Sequence, residues 1–290
     1  MNPSDLREAD LIRPMRSRTR AYLAEIRVVN CLMAAFASLI GIFVSKAPLV
    51  YDVIVPALLA FVAVFLVTAG GNVINDCFDV DIDRVNKPRR ALPSGLITRR
   101  SALAYALTLS LFGVAASLFI NPVCFGLAAL NAVLLVLYSW KLKRSVLIGN
   151  LLIGYLVGSI FLFGGAAVYS FFIPGVLFVS AMLAITSREI VKDVEDLTGD
   201  RRAGASTLPI RFGVPHSLTT AALFMLAAVA VSPLPFIIGA SGYPYLVIVI
   251  AADVTLLYGI VLSRSAPGRA STVIKYGMLV VLLAYVVGGI

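Results

Sequence analysis

Nine apolar runs, at roughly 28–45, 53–74, 102–120, 123–139, 146–168, 172–190, 216–238, 244–263 and 276–290, alternate with short polar segments along the chain. Each run is close to the length of a helix that crosses a bilayer, and none shows the period-2 alternation of a surface strand. The pattern predicts an all-α polytopic membrane protein of about nine transmembrane helices. Turn-forming residues punctuate the runs, with Asn121-Pro122 between the third and fourth and Gly242-Tyr243-Pro244 between the seventh and eighth. The spans and their short connections fill the 290 residues, so one membrane domain over 1–290 is expected, preceded by a basic arm at 1–25.

Composition removes the competing classes. At 60% apolar and 13% charged, with a mean hydropathy of +0.97, the chain is too apolar for a water-soluble globule or a disordered segment. Its cysteines, Cys31, Cys77 and Cys124, are too few and too scattered for a disulfide scaffold. The net charge of +9 is best read through membrane topology and anionic partners rather than nucleic acid, because 23 of the 24 Lys and Arg residues fall on one side in an alternating count of spans. Only Lys46 falls on the other. Cations near span ends stay cytoplasmic, so the amino terminus is expected in the cytoplasm and the carboxyl terminus outside a multi-pass cell-membrane protein. The Arg-rich arm, with Lys46-Ala47-Pro48 after the first run, argues against a cleaved signal peptide.

Nine of the fifteen acidic residues crowd into two short windows, and both follow an even-numbered span. In GGNVINDCFDVDIDR, Asn75, Asp79 and Asp83 recur every four positions and Asp76 lies three before Asp79, so one helical face carries an amide and three carboxylates. In REIVKDVEDLTGD, Lys192, Asp196 and Asp200 recur every four, with Glu189 and Asp193 in a neighbouring row. Carboxylate oxygens without nearby His or Cys are hard donors that suit Mg²⁺ rather than zinc. The sole histidine, His216, is expected simply to start a helix.

Each acidic window leads into a basic one, Arg84, Lys87, Arg89 and Arg90 after the first and Arg201, Arg202 and Arg211 after the second. A Leu-Pro pair follows each at a similar offset, at 92–93 and 208–209. The pattern predicts an internal pseudo-repeat whose two carboxylate rows face each other across a central cavity. Magnesium flanked by Lys and Arg is a setting for phosphate or diphosphate. Arg27 and Asn30, one turn apart at the start of the first span, are expected to face that cavity, because an unpaired intramembrane cation is costly. Gly70, Gly71, Gly164 and Gly165 are read as sites of close helix packing.

The pattern NDxxDxxxD, present as Asn75, Asp76, Asp79 and Asp83, together with KDxxDxxxD, present as Lys192, Asp193, Asp196 and Asp200, resembles the UbiA superfamily of intramembrane prenyltransferases. The nine spans, the two motifs after spans two and six, and YSWKLKR at 138–144 all fall where that superfamily has them. NKPRRALPSGLIT at 86–98 and REIVKDVEDLTGDRRAGASTLPIRFG at 188–213 resemble its archaeal branch, the digeranylgeranylglyceryl phosphate synthases.

The resemblance implies Mg²⁺-dependent transfer of a geranylgeranyl group from geranylgeranyl diphosphate to the 2-hydroxyl of geranylgeranylglyceryl phosphate, with membrane lipids as surroundings and archaeal ether lipid as the product line. It implies that Asn75, Asp79 and Asp83 serve one metal and Asp196 and Asp200 another, with Asp76 and Asp193 in support. Asp79, Asp83, Asp196 and Asp200 would be the catalytic set. Arg27, Lys143, Arg144 and Lys192 would contact diphosphate, the choice among Lys141, Lys143 and Arg144 staying open, and Asn30, Asn72 and Tyr138 would line the substrate site.

An aromatic or cyclic acceptor would keep every metal residue and is the alternative. An ion-coupled secondary transporter is more distant, since such carriers place acidic groups near the midplane on broken helices. A CDP-alcohol phosphotransferase would need a DGxxAR signature that the chain lacks. Alanine at Asp79 or Asp196 is expected to abolish turnover and leave the fold intact, on the premise that both carboxylates face water.

Overall fold

The computed structural model describes residues 18–45, 51–202 and 204–289, all helices and connections. The chain runs through α1 (Arg18–Glu25), α2 (Val28–Phe43), α3 (Tyr51–Asn86), α4 (Arg99–Leu118), α5 (Pro122–Trp140), a 3-10 turn (Leu142–Arg144), α6 (Ile148–Ala167) and α7 (Phe172–Glu195). It continues through α8 (Leu197–Arg202), α9 (Leu208–Phe212), α10 (Val214–Val231), α11 (Leu234–Ile237), α12 (Tyr243–Leu262) and α13 (Pro267–Gly289). Residues 1–17 of the expected basic arm lie outside the described residues, and 18–25 form α1.

Among the described residues eight helices are long and apolar enough to cross a bilayer, and the first predicted span is a bent pair. α2 has only 16 residues, too short to cross alone, and reaches spanning length with α1 across a 43° break at Ile26-Arg27. The outward faces are apolar, as lipid-facing surfaces must be: Leu111 is 68% exposed and Val261 66%. The protein is an integral membrane protein.

Local chemistry explains the punctuation. Asn121 caps α5 by accepting from the Cys124 amide at 2.8 Å, Pro122 takes the first helical position, and the Asn121 amide donates to the Ala166 carbonyl at 2.9 Å. Thr98 caps α4 through the Ser101 amide. His216 stands in the first turn of α10, as expected.

α2 and α6 cross where Gly41 meets Gly164, so tightly that a methyl group on either would run into the carbonyl of Phe161 or Ser38. Gly70 likewise admits α4, Gly71 abuts Leu135, and Gly165 packs on Pro174.

Three boundaries differ from the sequence pattern. α3 continues 12 residues past the predicted end of its apolar run, to Asn86. Its polar continuation stays helical because Val73, Cys77 and Val80 keep an apolar stripe buried against α1, α4 and the loop residues Leu92 and Ile97. The last span starts at Pro267 rather than 276, with Ala270 and Ile274 buried in the core shared by α7, α10 and α12. In the second acidic window α7 gives way to the short α8 at Asp196, yet the Asp196 amide donates to the Lys192 carbonyl at 2.8 Å and the Asp200 amide to the Asp196 carbonyl at 3.0 Å. The four-residue step is therefore kept across the turn, and Lys192, Asp196 and Asp200 follow one another at helical spacing.

Candidate active site

The first motif forms one face of α3 where that helix outruns its apolar run, and every carboxylate in its row has a cation from another segment. Asp76, 5% exposed, pairs with Arg27 from the α1–α2 break and with Arg90 from the loop after α3, whose Nη1 lies at 3.3 Å. Asp83, 6% exposed, accepts from Arg90 Nη1 at 2.9 Å and has Lys87 Nζ at 3.8 Å. Asp79 pairs with Lys143 from the 3-10 turn, whose amine also donates to Asn75 Oδ1 at 3.3 Å, while Asn75 Nδ2 donates to Asp79 Oδ2 at 3.1 Å. Low dielectric strengthens each pair, and an unpaired buried carboxylate would be costly.

Arg27 reaches Asp76 by an unusual route. Its backbone is left-handed, with φ 53° and ψ 62°, a conformation seldom held by a non-glycine residue unless its surroundings impose it. Asn72, one turn before Asn75 on α3, supplies part of that imposition, because its amide donates to the Ile26 carbonyl freed by the break, at 2.9 Å. Asn72 thus braces the segment that presents Arg27. It also lines a cavity of about 210 Å³ between α3, α5 and α6, otherwise walled by residues such as Val64, Val67, Leu135 and Ile160.

The second motif is built differently. Asp193 accepts from the Asn150 amide at 2.8 Å, where α6 begins. Glu189 takes Arg188 at 2.8 Å and Lys192 at 3.4 Å, and Arg188 also donates to the Ser271 carbonyl at 3.3 Å, tying the motif to α13. Asp196 is exposed at the end of α7, and Asp200 on α8 lies within electrostatic reach of Asp193.

Tyr138 joins the two halves, because its hydroxyl lies within electrostatic reach of Asp79 on one side and of Glu189 and Asp193 on the other. The motifs therefore converge at one end of the bundle.

Several expectations resolve at this point. Of Lys141, Lys143 and Arg144, Lys143 reaches the first motif and Lys141 is exposed, while the Arg144 side chain lies outside the described residues. Arg27 does face the polar cluster, whereas Asn30 is exposed and makes no side-chain hydrogen bond among the described residues. Asp79 is not the water-facing carboxylate that the spacing suggested, since its side chain is only 14% exposed and paired. Asp196 does face water.

Sequence reasoning missed three groups. Arg90 was one cation in a basic run until the fold placed it between Asp76 and Asp83. Asn150 could have been found as the only amide in the apolar run at 146–168. Glu25, which is 4% exposed at the end of α1, gave no periodic signal at all.

Among the described residues no three acidic side chains stand close enough to hold an ion by themselves. The donors nevertheless fit magnesium, because that ion keeps its waters and commonly takes one or two carboxylates plus the oxygens of a bound phosphate. The carboxylates of Asp79 and Asp83 offer oxygen donors of that kind.

Such an arrangement, acidic rows interleaved with cations above apolar cavities, defines an intramembrane enzyme for an anionic, hydrocarbon-bearing substrate. Residues 32–287 match the UbiA prenyltransferase family, and the chain belongs to that family. It is 46% identical over 270 residues to digeranylgeranylglyceryl phosphate synthase of Methanopyrus kandleri, covering 92% of this chain and 98% of that one. To the synthase of the same name from Methanocaldococcus jannaschii it is 42% identical over 279 residues, covering 94% and 97%. A solved structure of digeranylgeranylglyceryl phosphate synthase in membranes superimposes with a TM-score of 0.85 at 41% identity, covering 94% of this chain and 99% of that one. A UbiA homologue from Archaeoglobus fulgidus bound to GPP and Mg²⁺ shares the fold at 20% identity, with a TM-score of 0.72 over 90% and 99% of the two chains.

Proposed function

We propose that this chain, acting as one prenyltransferase domain, transfers the geranylgeranyl group of geranylgeranyl diphosphate to the 2-hydroxyl of geranylgeranylglyceryl phosphate and releases diphosphate. The observation that carries the reading is the convergence of Arg27, Arg90 and Lys143, from three separate segments, on the carboxylate row of α3. The relatives of the same name, at 46% and 42% identity over nearly the full chain, support the choice of substrates.

In this reading the diphosphate head lies between the two motifs. Asn75, Asp79 and Asp83 hold one Mg²⁺ and Asp196 and Asp200 a second, Asp76 and Asp193 support them, and Arg27, Arg90, Lys143 and Lys192 contact phosphate oxygens. Bound magnesium would supply Lewis-acid neutralisation of the leaving group. The cations do the same work from the protein side, stabilising charge that grows as the allylic carbon–oxygen bond breaks. The acceptor oxygen then forms the new ether bond to that carbon, and its proton passes to the released diphosphate or to a motif carboxylate. Tyr138 lies beside the reacting head, and Asn72 stands where the head region gives way to the apolar cavity of α3, α5 and α6, in which the prenyl tail is placed. Asn30, exposed on α2, is assigned to the rim of the substrate site. Apolar walls keep water from the allylic cation. The motifs face the cytoplasm together with the amino terminus, as the one-sided cations support.

The test is transfer by purified protein in bilayers, with Mg²⁺ and radiolabelled geranylgeranyl diphosphate, offered geranylgeranylglyceryl phosphate or aromatic acceptors such as 4-hydroxybenzoate. Transfer to the glyceryl phosphate that EDTA abolishes is the expected result. Transfer only to an aromatic acceptor would move the chain to another branch, and no transfer with ion flux across liposomes would overturn the enzymatic reading.

A further inference from the structure

Glu25 is an acid where an acid is expensive. It is 4% exposed, its carboxyl lies within hydrogen-bonding reach of Asp76, and two more motif carboxylates stand on the same helix face. Burying a further carboxyl beside Asp76 costs repulsion, which makes its remaining contacts informative. What it holds is the loop after α3: Glu25 Oε1 accepts from the Leu92 backbone N–H at 3.3 Å, across 67 positions of sequence. Leu92 is itself 4% exposed and packs in the same core as Ile26, Cys31 and Val73. Two residues earlier in that loop, Arg90 reaches both Asp76 and Asp83. Besides the buried side chains of Leu92 and Ile97 and the pairs of Arg90 itself, the loop's other hydrogen bonds at 90–97 are local turns such as Ser94 to Arg90 and Gly95 to Leu92, so Glu25 makes its long-range backbone hydrogen bond.

We infer that Glu25 is a positioning residue that pins the loop after α3 through Leu92 and so sets Arg90 between Asp76 and Asp83, ready for the diphosphate. The inference rests on the reading of this site as a diphosphate site, and it places the specific demand on the reach of the Glu25 side chain rather than on its charge. A purely structural Glu25 would change the amount or thermal stability of folded protein and leave ligand affinity alone.

The experiment measures calorimetric affinity for inorganic diphosphate with Mg²⁺, using full-length protein in detergent, for the parent and for Glu25→Ala, Glu25→Gln, Glu25→Asp, Arg90→Ala and the Glu25→Ala/Arg90→Ala double variant. Loss of one positioned, charge-assisted contact predicts about tenfold weaker binding for Glu25→Ala, and at least as much for Arg90→Ala. Because Glu25 acts through Arg90, the double variant should bind no more weakly than Arg90→Ala alone. Gln keeps the reach to Leu92 and should bind within about threefold of the parent, whereas Asp keeps the charge, falls one methylene short and should resemble Ala. Should Glu25→Ala fail to fold, the Gln and Asp variants carry the same test. Additive losses, unchanged affinity in Glu25→Ala, or Asp restoring binding where Gln does not would overturn the inference. No diphosphate binding by the parent would instead bring down the functional reading, and this inference with it.

Discussion

The two acidic motifs share a written pattern, an acid every four residues after a long apolar helix, yet they are built as opposites. In the first the helix runs on, the carboxylates of Asp76 and Asp83 are buried, and cations from three other segments close on the row of Asp76, Asp79 and Asp83. In the second α7 passes at Asp196 into the short α8, Asp196 is exposed, Asp193 is held by a neutral amide, and Arg188 and Lys192 pair with Glu189 on their own helix. The difference teaches that spacing fixes only which side chains can share a face. Whether that face becomes a preorganised, charge-compensated wall or an open rim depends on what distant segments bring to it.

The sharpest way to break the comparison is to remove one carboxylate from each half. Asp79→Ala and Asp196→Ala should each lower turnover by on the order of 10²–10³-fold or more, as loss of a transition-state charge contact does. Their stabilities should separate. Asp79→Ala leaves the Lys143 amine, which is 29% exposed, with the Asn75 amide oxygen in place of a carboxylate, and should lower the unfolding free energy by about 1–3 kcal/mol. Asp196→Ala removes an exposed group and should stay within about 0.5 kcal/mol of the parent. Thermal unfolding in detergent checks the split, and equal destabilisation of the two would show that the halves are not built differently.

The cations extend the same contrast at smaller cost. Lys143→Ala removes the contact with Asp79 and Asn75, so the KM for the prenyl donor should rise by about tenfold to a hundredfold. Lys192, 38% exposed and 3.4 Å from Glu189, should matter less, by about threefold to tenfold. The reverse order would make the second motif the principal diphosphate anchor.

Why the first motif was legible and its wall was not follows from the same geometry. The row Asn75, Asp79 and Asp83 is local: four-residue spacing becomes a helical face wherever an apolar stripe holds the helix straight, and Val73, Cys77 and Val80 do so. The spans are likewise local sums of apolarity. Arg27, Arg90 and Glu25 belong to tertiary structure. They sit 49, 14 and 51 positions from Asp76, and they meet it only because the chain breaks at Ile26-Arg27 and the loop after α3 folds back. The second row keeps its four-residue step through the turn at Asp196, and what the spacing of Lys192, Asp196 and Asp200 does not reveal is that Asp196 stays exposed.

Asn150 tests whether the second motif has any preorganisation. Its amide is the hydrogen-bond donor to Asp193 Oδ2, and the residue is 6% exposed. Asn150→Ala should leave that carboxylate without its donor and cost about 1–3 kcal/mol, read as a roughly tenfold or greater fall in kcat/KM. Asn150→Asp, which sets a second carboxylate against Asp193, should be worse than alanine. If Asp substitutes without loss, the amide is not what holds Asp193.

The smallest effect sharpens the comparison most economically. Asp81 lies in the first acidic window but off the row: its side chain is 80% exposed and pairs with Arg84, itself 63% exposed, at 3.0 Å. An exposed i,i+3 pair contributes about 0–1 kcal/mol and is screened by salt. Asp81→Ala should therefore change stability by no more than about 0.5 kcal/mol, with kcat and the KM for the prenyl donor unchanged. Its neighbours Asp79 and Asp83, two positions away on either side, should be intolerant of the same change. If instead Asp81→Ala cost activity on the scale of Asp79→Ala, the operative feature would be the density of negative charge in the window, and the distinction between a compensated row and a solvated edge would collapse.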